Sequence, residues 1–209
     1  MTISQISNLM SIPIGAICLG IAIRALYIYR LSLNDMIAVL GFSMLLISMG
    51  TFAGTVGETH LWGNHFNAEW VRAFGACSGG LFIFLSSLVK SHIQMQKLRR
   101  WQMVTFMIFI AVVLLTPLYP PITSPLVTLA LNSCRMIVYF CAFTRYLMLY
   151  ASKATHFSLM MTVTFLILLC GYALNIPGIL HTGLALVTII AAGVRIVAYL
   201  MLLASYLGA

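Results

Sequence analysis

Long apolar runs alternate along this chain with short polar or proline-rich segments. A helix that crosses a bilayer needs about 20 predominantly apolar residues. Cutting the sequence at its charged, proline-rich and glycine- or asparagine-rich segments leaves seven runs of that kind, at residues 11–30, 35–57, 68–90, 101–119, 124–150, 157–176 and 181–207. The pattern predicts an all-α fold in which residues 1–209 form a single transmembrane domain, a polytopic bundle of seven helices.

The composition agrees with a location in a membrane. Hydrophobic residues make up 62% of the 209 positions and charged residues 7%, and the mean hydropathy is +1.08. A water-soluble domain of this size has too little interior to bury so many apolar side chains. The uncharged start, MTISQISNLM, lacks the basic segment of a secretory signal peptide, so we expect the first helix to be retained.

The basic residues predict the orientation of the bundle. The net charge is +8, and most of the cations lie in every second connection or beside it: Arg24, Arg30, Lys90, Lys97, Arg99, Arg100, Arg145 and Lys153. The alternate connections, GETHLWGNHFNAE, PLYPPITSP and NIPGILHTG, contain no lysine or arginine. By the positive-inside rule, the amino terminus is outside and the carboxyl terminus is in the cytoplasm, most simply across a prokaryotic cytoplasmic membrane. The basic connections are then expected to contact anionic lipid head groups rather than nucleic acid.

A weak internal repeat is visible in the spacing of the charges. Arg72 precedes Lys90 by eighteen residues, Arg135 precedes Lys153 by eighteen, and Arg195 follows Arg135 by sixty. This spacing suggests one helix followed by three parallel two-helix repeats. The alternative is that positive charges recur only because topology requires them at alternate ends.

Arginines inside apolar runs are the strongest candidates for a binding site. Arg135 and Arg195 fall well within their runs, where a charge is costly unless it faces the bundle or a wet cavity. Tyr139 and Tyr199 each follow four residues later on the same helix face. With Arg72, these residues predict a polar centre that binds a ligand or a partner. The alternative is a structural role, in which the guanidinium groups bond to carbonyls and to the few carboxylates.

The third run has a face of small residues. Gly75 and Gly79, and likewise Ala76 and Gly80, are spaced four apart, so a neighbouring helix can approach closely. This spacing predicts close helix packing, either inside the bundle or with another membrane subunit or a second copy of the chain. The five cysteines all lie in apolar runs and are expected to act as small packing residues.

Histidine and glutamate residues cluster in the connections predicted to face outside. Glu58, His60, His65, Glu69 and His181 are all on that side and include the side chains that zinc, copper or iron prefer. No HExxH motif or other closed set of ligands is present, so a solvated loop and a pH-sensitive contact are alternatives to a metal site. We expect no cofactor.

Several classes of seven-helix protein lack support in the residues. The last run has no lysine for a retinal Schiff base, and the Pro-Gln dipeptide of the small sugar carriers does not occur. A lipid hydrolase within the membrane would need a set of His, Asp, Ser or Glu inside the runs, whereas all three acids lie at their edges. The leading hypothesis is a non-enzymatic membrane subunit or sensor-like module that binds a ligand or a partner. A small transporter or channel for an anionic or polar solute is the first alternative, and a membrane enzyme acting on lipid or quinone is the second.

Overall fold

Seven α-helices account for nearly all residues that the computed structural model describes, which are 3–57, 66–89, 91–118, 124–180 and 185–207. Each helix has the length and apolar composition required to cross a membrane, which confirms the prediction of seven spans in an all-α fold. Their bounds are Ile3–Ser32 (α1), Asp35–Val56 (α2), Ala68–Leu88 (α3), His92–Leu115 (α4), Pro125–Lys153 (α5), His156–Leu180 (α6) and Ala185–Leu207 (α7). A short 3-10 turn, Thr116–Leu118, extends α4.

Several helix ends differ from the prediction by three residues or more, and the largest differences are at the starts of α1, which begins at Ile3 rather than at residue 11, and of α4. Helix α4 begins at His92 and includes the basic segment that the pattern assigned to a connection. The residues 92–100, HIQMQKLRR, include several good helix formers and no glycine or proline, so a polar stretch continues the helix beyond the apolar part. Helix α6 continues through Pro177 to Leu180. In apolar surroundings the backbone groups after the proline lack water as an alternative partner, so helical bonding continues where it can.

Six of the helices close a ring. In the described ranges α1 packs on α2, α2 on α3, α3 on α5, α5 on α6, α6 on α7, and α7 returns to α1. Helix α4 lies outside this ring and packs on α2 and α3. The helices predicted to form the second of three hairpins, α4 and α5, therefore pack mainly on different neighbours.

Glycines set the close contact between α2 and α3. A Cβ atom added at Gly75 would lie 2.7 Å from the carbonyl oxygen of Leu46 and 3.1 Å from the Cα of Gly50. At Gly79 it would lie 2.7 Å from the carbonyl oxygen of Ser43. Gly80 faces α5 instead, where a Cβ would lie 2.8 Å from a methyl carbon of Val138. The small face of α3 therefore packs on two helices of its own chain.

Aromatic side chains fill the middle of the ring. The Tyr139 ring stacks on Tyr172 and on Phe165, with centroid distances of 5.4 Å and 6.1 Å, and Tyr146 stacks on Phe165 at 5.5 Å. All four side chains are buried. Together with apolar residues from all six helices of the ring, they form the main core, so this part of the ring is filled by side chains.

Candidate functional site

A cavity of about 350 Å³ lies at the end of the ring where α3, α5 and α7 begin. Three arginines, each from a different helix, and one acid line it. They are Arg72 and Glu69 from α3, Arg135 from α5 and Arg195 from α7. Neutral polar groups surround them, namely Ser11, Thr51, Thr128, Asn175 and Thr188. The cavity therefore brings together all three arginines that the sequence analysis selected, and its described lining residues carry a formal excess of two positive charges.

Glu69 is shared between two of the arginines. Its Oε1 accepts from Nη1 of Arg72 at 3.4 Å, and its Oε2 accepts from Nη2 of Arg135 at 3.1 Å. The same nitrogen of Arg135 also donates to the backbone carbonyl of Glu69 at 3.2 Å. Arg72 donates in addition to the hydroxyl of Thr55 at 3.4 Å. One carboxylate thus compensates part of the charge of two guanidinium groups and orients both.

Arg195 is held differently. In the described part of the chain its one hydrogen bond runs from Nε to the carbonyl of Ala191, one turn earlier in α7, at 3.3 Å. Its guanidinium carbon lies 5.1 Å from the ring centroid of Tyr172, within the range of a cation–π contact. No carboxylate bonds to it among these residues. Its terminal nitrogens therefore remain able to donate to a ligand in the cavity.

Tyr172 connects the two deep arginines. The guanidinium carbon of Arg135 lies 5.8 Å from the same ring centroid that Arg195 approaches. The sequence analysis did not select Tyr172, because nothing along the chain links it to an arginine on α5 or α7. The available signal was Asn175, a polar residue three positions later in an apolar helix, which marks the same helix face as facing something other than lipid.

Tyr139 and Tyr199 form a hydrogen-bonded pair beneath the arginines. Their hydroxyl oxygens lie 3.1 Å apart, and both side chains are buried. The sequence analysis placed each tyrosine on the same helix face as the arginine one turn before it. The hydroxyls are directed at each other across α5 and α7, and the aromatic contact of both arginines goes to Tyr172.

Two glycines make room for the arginine side chains. A Cβ at Gly54 in α2 would lie 2.8 Å from Cγ of Arg72, and one at Gly171 in α6 would lie 2.8 Å from Cγ of Arg195. In both cases the glycine belongs to the helix that precedes the arginine's own helix. The sequence analysis missed both glycines, because only the packing shows which side chain crosses them.

Some buried polar atoms near the site have no partner among the described residues. They include Nε of Arg135 and Oδ1 of Asn132, one turn apart on α5. The amide nitrogen of Asn132 donates to the carbonyl of Tyr172 at 2.9 Å, which fixes that side chain between α5 and α6. Buried polar atoms are usually satisfied by protein or by ordered water, so the surroundings of Arg135 have spare hydrogen-bonding capacity.

Four of the five suggested metal ligands are not among the residues that the structure describes. Glu58, His60, His65 and His181 lie outside the described residues. Glu69 is described, and both of its carboxylate oxygens accept from arginines. Within the described ranges, no group of three histidine, cysteine, aspartate or glutamate side chains is placed to hold a metal ion.

Comparison with protein-family models, curated proteins and solved structures finds no match to this chain. Its function must therefore be argued from the chemistry of the cavity itself.

Proposed function

We propose that this protein binds a small anionic ligand in the arginine-lined cavity and acts as a non-enzymatic receptor or sensor-like subunit of a membrane. The observation that carries the proposal is the charge in the cavity, where three guanidinium groups face a single carboxylate. Guanidinium groups bind carboxylate and phosphate through paired hydrogen bonds, so either group on a ligand matches this lining.

The energetics of buried charge favour a ligand over a purely structural role. A charge removed from water is costly unless a partner compensates it. Arg135 fits the structural role in part, because Glu69 pairs with it at 3.1 Å. Arg195 does not, since among the described residues it has a single long bond to its own helix and an aromatic contact, and no acid bonds to its charge. A bound anion would supply the missing compensation.

The size and lining of the cavity limit the ligand. Its volume of about 350 Å³ is near the lower end of the range of roughly 300–1,000 Å³ that is usual for small-molecule sites. Hydroxyl and amide side chains around the arginines can bond to further polar atoms of a ligand. These properties favour a compact carboxylate, phosphate or similar anion over a large or apolar compound.

The packed floor of the cavity favours a receptor over an open channel. Below Tyr139 and Tyr199 the ring is filled by buried side chains, among them Phe165, Met161 and Leu202. A ligand that enters at the arginine end therefore meets a hydrogen-bonded tyrosine pair and then an apolar core. Binding there would be sensed as altered packing of α5, α6 and α7 rather than as passage.

A transporter of small anions is the second candidate, favoured by the order of helices in the ring. Helices α1 to α3 and α5 to α7 follow one another in the same order around the ring, and α4 stands between them in sequence. Parallel three-helix units of this kind could rock about the α3–α5 and α1–α7 contacts and open the floor. By the positive-inside rule the cavity would then open outside the cell.

Ligand-dependent thermal unfolding in an uncharged detergent tests the proposal. Phosphate, sulfate, acetate and succinate, each as the salt of one cation, should include at least one anion that raises the melting temperature of the wild type. A neutral compound of similar size should not raise the melting temperature. Arg195→Lys keeps the charge but loses the planar pair of donors, so the shift should fall sharply while the ligand-free melting temperature is retained.

Lys153→Gln is the matched control, because it removes a positive charge from the far end of α5, and it should keep the full shift. Equal shifts in wild type and in both variants would show that the anions act on the protein surface, and the proposal would be wrong.

Uptake into vesicles that contain the purified protein separates the receptor from the transporter. A receptor binds the anion without accumulation, whereas a transporter accumulates it.

A further inference from the structure

A second cavity lies at the opposite end of the bundle, between α1 and α4. Both helices pack on α2, and the space of about 410 Å³ between them is lined by Tyr29, Phe42, Arg99, Arg100 and Met103. Its lining combines two cations and a phenol with two apolar side chains. A cavity of this kind suits an amphipathic ligand better than a fully polar one.

The two arginines of this cavity have different surroundings. Arg99 donates from Nη1 to the carboxylate of Asp35 at 2.6 Å and to the hydroxyl of Tyr29 at 2.7 Å, so its charge has a partner and its position is fixed. Asp35 also accepts from His92 at 3.3 Å. Arg100 is exposed and makes no hydrogen bond or ion pair with any residue that the structure describes. It therefore supplies a positive charge that no described side chain compensates.

The depth of the cavity can be read from its neighbours. Trp101 directly follows Arg100 and is two-thirds exposed, as is usual for a tryptophan at the level of lipid head groups. Met103 lies further along α4 and is half exposed, while Phe42 lies two turns into α2. The charged part of the cavity is thus at the membrane surface, and its apolar part points toward the hydrocarbon.

We infer that this cavity binds an anionic phospholipid. The phosphate would accept hydrogen bonds from Arg100, and one acyl chain would lie against Phe42 and Met103. Basic pockets between transmembrane helices at the cytoplasmic side are known to bind lipid head groups, and the charge and depth here match that mode. Because α4 lies outside the ring, a lipid that contacts both α1 and α4 also stabilises the attachment of α4. The inference does not depend on the anion site at the other end.

Lipid-dependent unfolding of the purified full chain in an uncharged detergent tests this inference. Phosphatidylglycerol should raise the melting temperature of the wild type, and phosphatidylcholine with the same acyl chains should raise it less. Arg100→Gln should increase the concentration of phosphatidylglycerol for half of the shift by about fivefold, the usual effect of one basic residue near a lipid surface. Lys153→Gln, which removes an exposed charge from the same end but outside this cavity, should leave that concentration unchanged.

Two further measurements separate a lipid from its head group. Met103→Asn should weaken the effect of phosphatidylglycerol, because the acyl chain loses its apolar contact, and soluble glycerol 3-phosphate should give no shift at equal concentration. The inference is overturned if phosphatidylcholine acts as strongly as phosphatidylglycerol, if Arg100→Gln retains the wild-type response, if Lys153→Gln loses as much as Arg100→Gln, or if glycerol 3-phosphate reproduces the shift. Arg100 and Met103 are exposed, so both variants are expected to fold.

Discussion

The hydroxyl groups of Tyr139 and Tyr199 lie 3.1 Å apart across α5 and α7, sixty residues apart in the chain. Each tyrosine lies one turn after an arginine that lines the cavity, and Tyr199 lines the cavity itself, so the pair lies at the cavity floor. The contact joins two helices that are not neighbours in the ring. It therefore fixes the distance across the interior at the level of the floor.

The tyrosine pair predicts a non-additive effect on stability. Tyr139→Phe or Tyr199→Phe alone leaves the other hydroxyl buried without its partner, at an expected cost of about 1–3 kcal/mol in the free energy of unfolding. The double variant removes both polar groups and should cost less than the sum of the single variants. Chemical unfolding in detergent measures all three. Tyr150→Phe is the control, because the Tyr150 hydroxyl bonds to no residue that the structure describes. Full additivity would mean that each hydroxyl of the pair is satisfied elsewhere.

Arg135 and Arg195 should differ when each is replaced by leucine. Arg135→Leu removes a partner of Glu69 and should lower the free energy of unfolding by about 2 kcal/mol. This is less than the roughly 3–5 kcal/mol expected for breaking a fully buried pair, because the Glu69 side chain is 41% exposed. Arg195→Leu removes a charge that forms no ion pair with a described acid, so stability should stay within about 1 kcal/mol or rise. Unfolding of the two variants side by side gives the comparison. A larger loss for Arg195→Leu would indicate a structural partner for that arginine.

Glu69→Gln should strengthen the binding of anions. The carboxylate of Glu69 occupies donors of Arg72 and Arg135 and opposes a second negative charge in the cavity. Its neutralisation is expected to raise the affinity by about tenfold, which corresponds to ~1.4 kcal/mol. Titration calorimetry with the anion found by thermal unfolding measures this. Asp35→Asn, a neutralised acid at the other end of the bundle, should leave the affinity unchanged, and weaker binding in Glu69→Gln would mean that Glu69 mainly orients the arginines.

Gly171→Ala should impair the site through Arg195. The added methyl would lie 2.8 Å from Cγ of Arg195, closer than the about 3.5–4.0 Å of a normal carbon contact, so the arginine stem must move. We expect the dissociation constant of the anion to rise by about threefold to tenfold, a change of ~0.7–1.4 kcal/mol. Gly20→Ala is the control because a methyl there meets nothing within 4 Å. Unchanged affinity in Gly171→Ala would show that the stem position of Arg195 does not matter for binding.

Gly75→Ala tests the contact between α2 and α3. The added methyl would lie 2.7 Å from the backbone oxygen of Leu46, which cannot rotate away, so the helices must separate. Overpacking of this kind typically costs about 1–3 kcal/mol. Gly20→Ala should instead be neutral or gain up to about 1 kcal/mol from helix propensity. Equal melting temperatures for the two variants in detergent would contradict the close approach of Gly75 and Gly50.

The sequence alone predicted the seven apolar helices, and the structure confirms them. This was possible because the requirement for a spanning helix is local: about 20 apolar residues must follow one another, whatever they pack against. Arginines within apolar runs could be selected for the same reason, since the cost of a charge in hydrocarbon depends on its depth along its own helix. Helix ends were less predictable. The start of α4 at His92 and the passage of α6 through Pro177 depend on backbone hydrogen bonding, which the apolar pattern does not report.

The partners inside the bundle were decided by the tertiary structure. Glu69 and Arg135 are separated by 66 residues, and Tyr172 reaches both deep arginines although no spacing along the chain relates them. In a membrane nearly every helix is apolar on all sides, so amphipathic patterning says little about which face meets which neighbour. That choice depends on where small residues let backbones approach, as Gly50 and Gly75 do, and on which few polar groups can reach each other once they have.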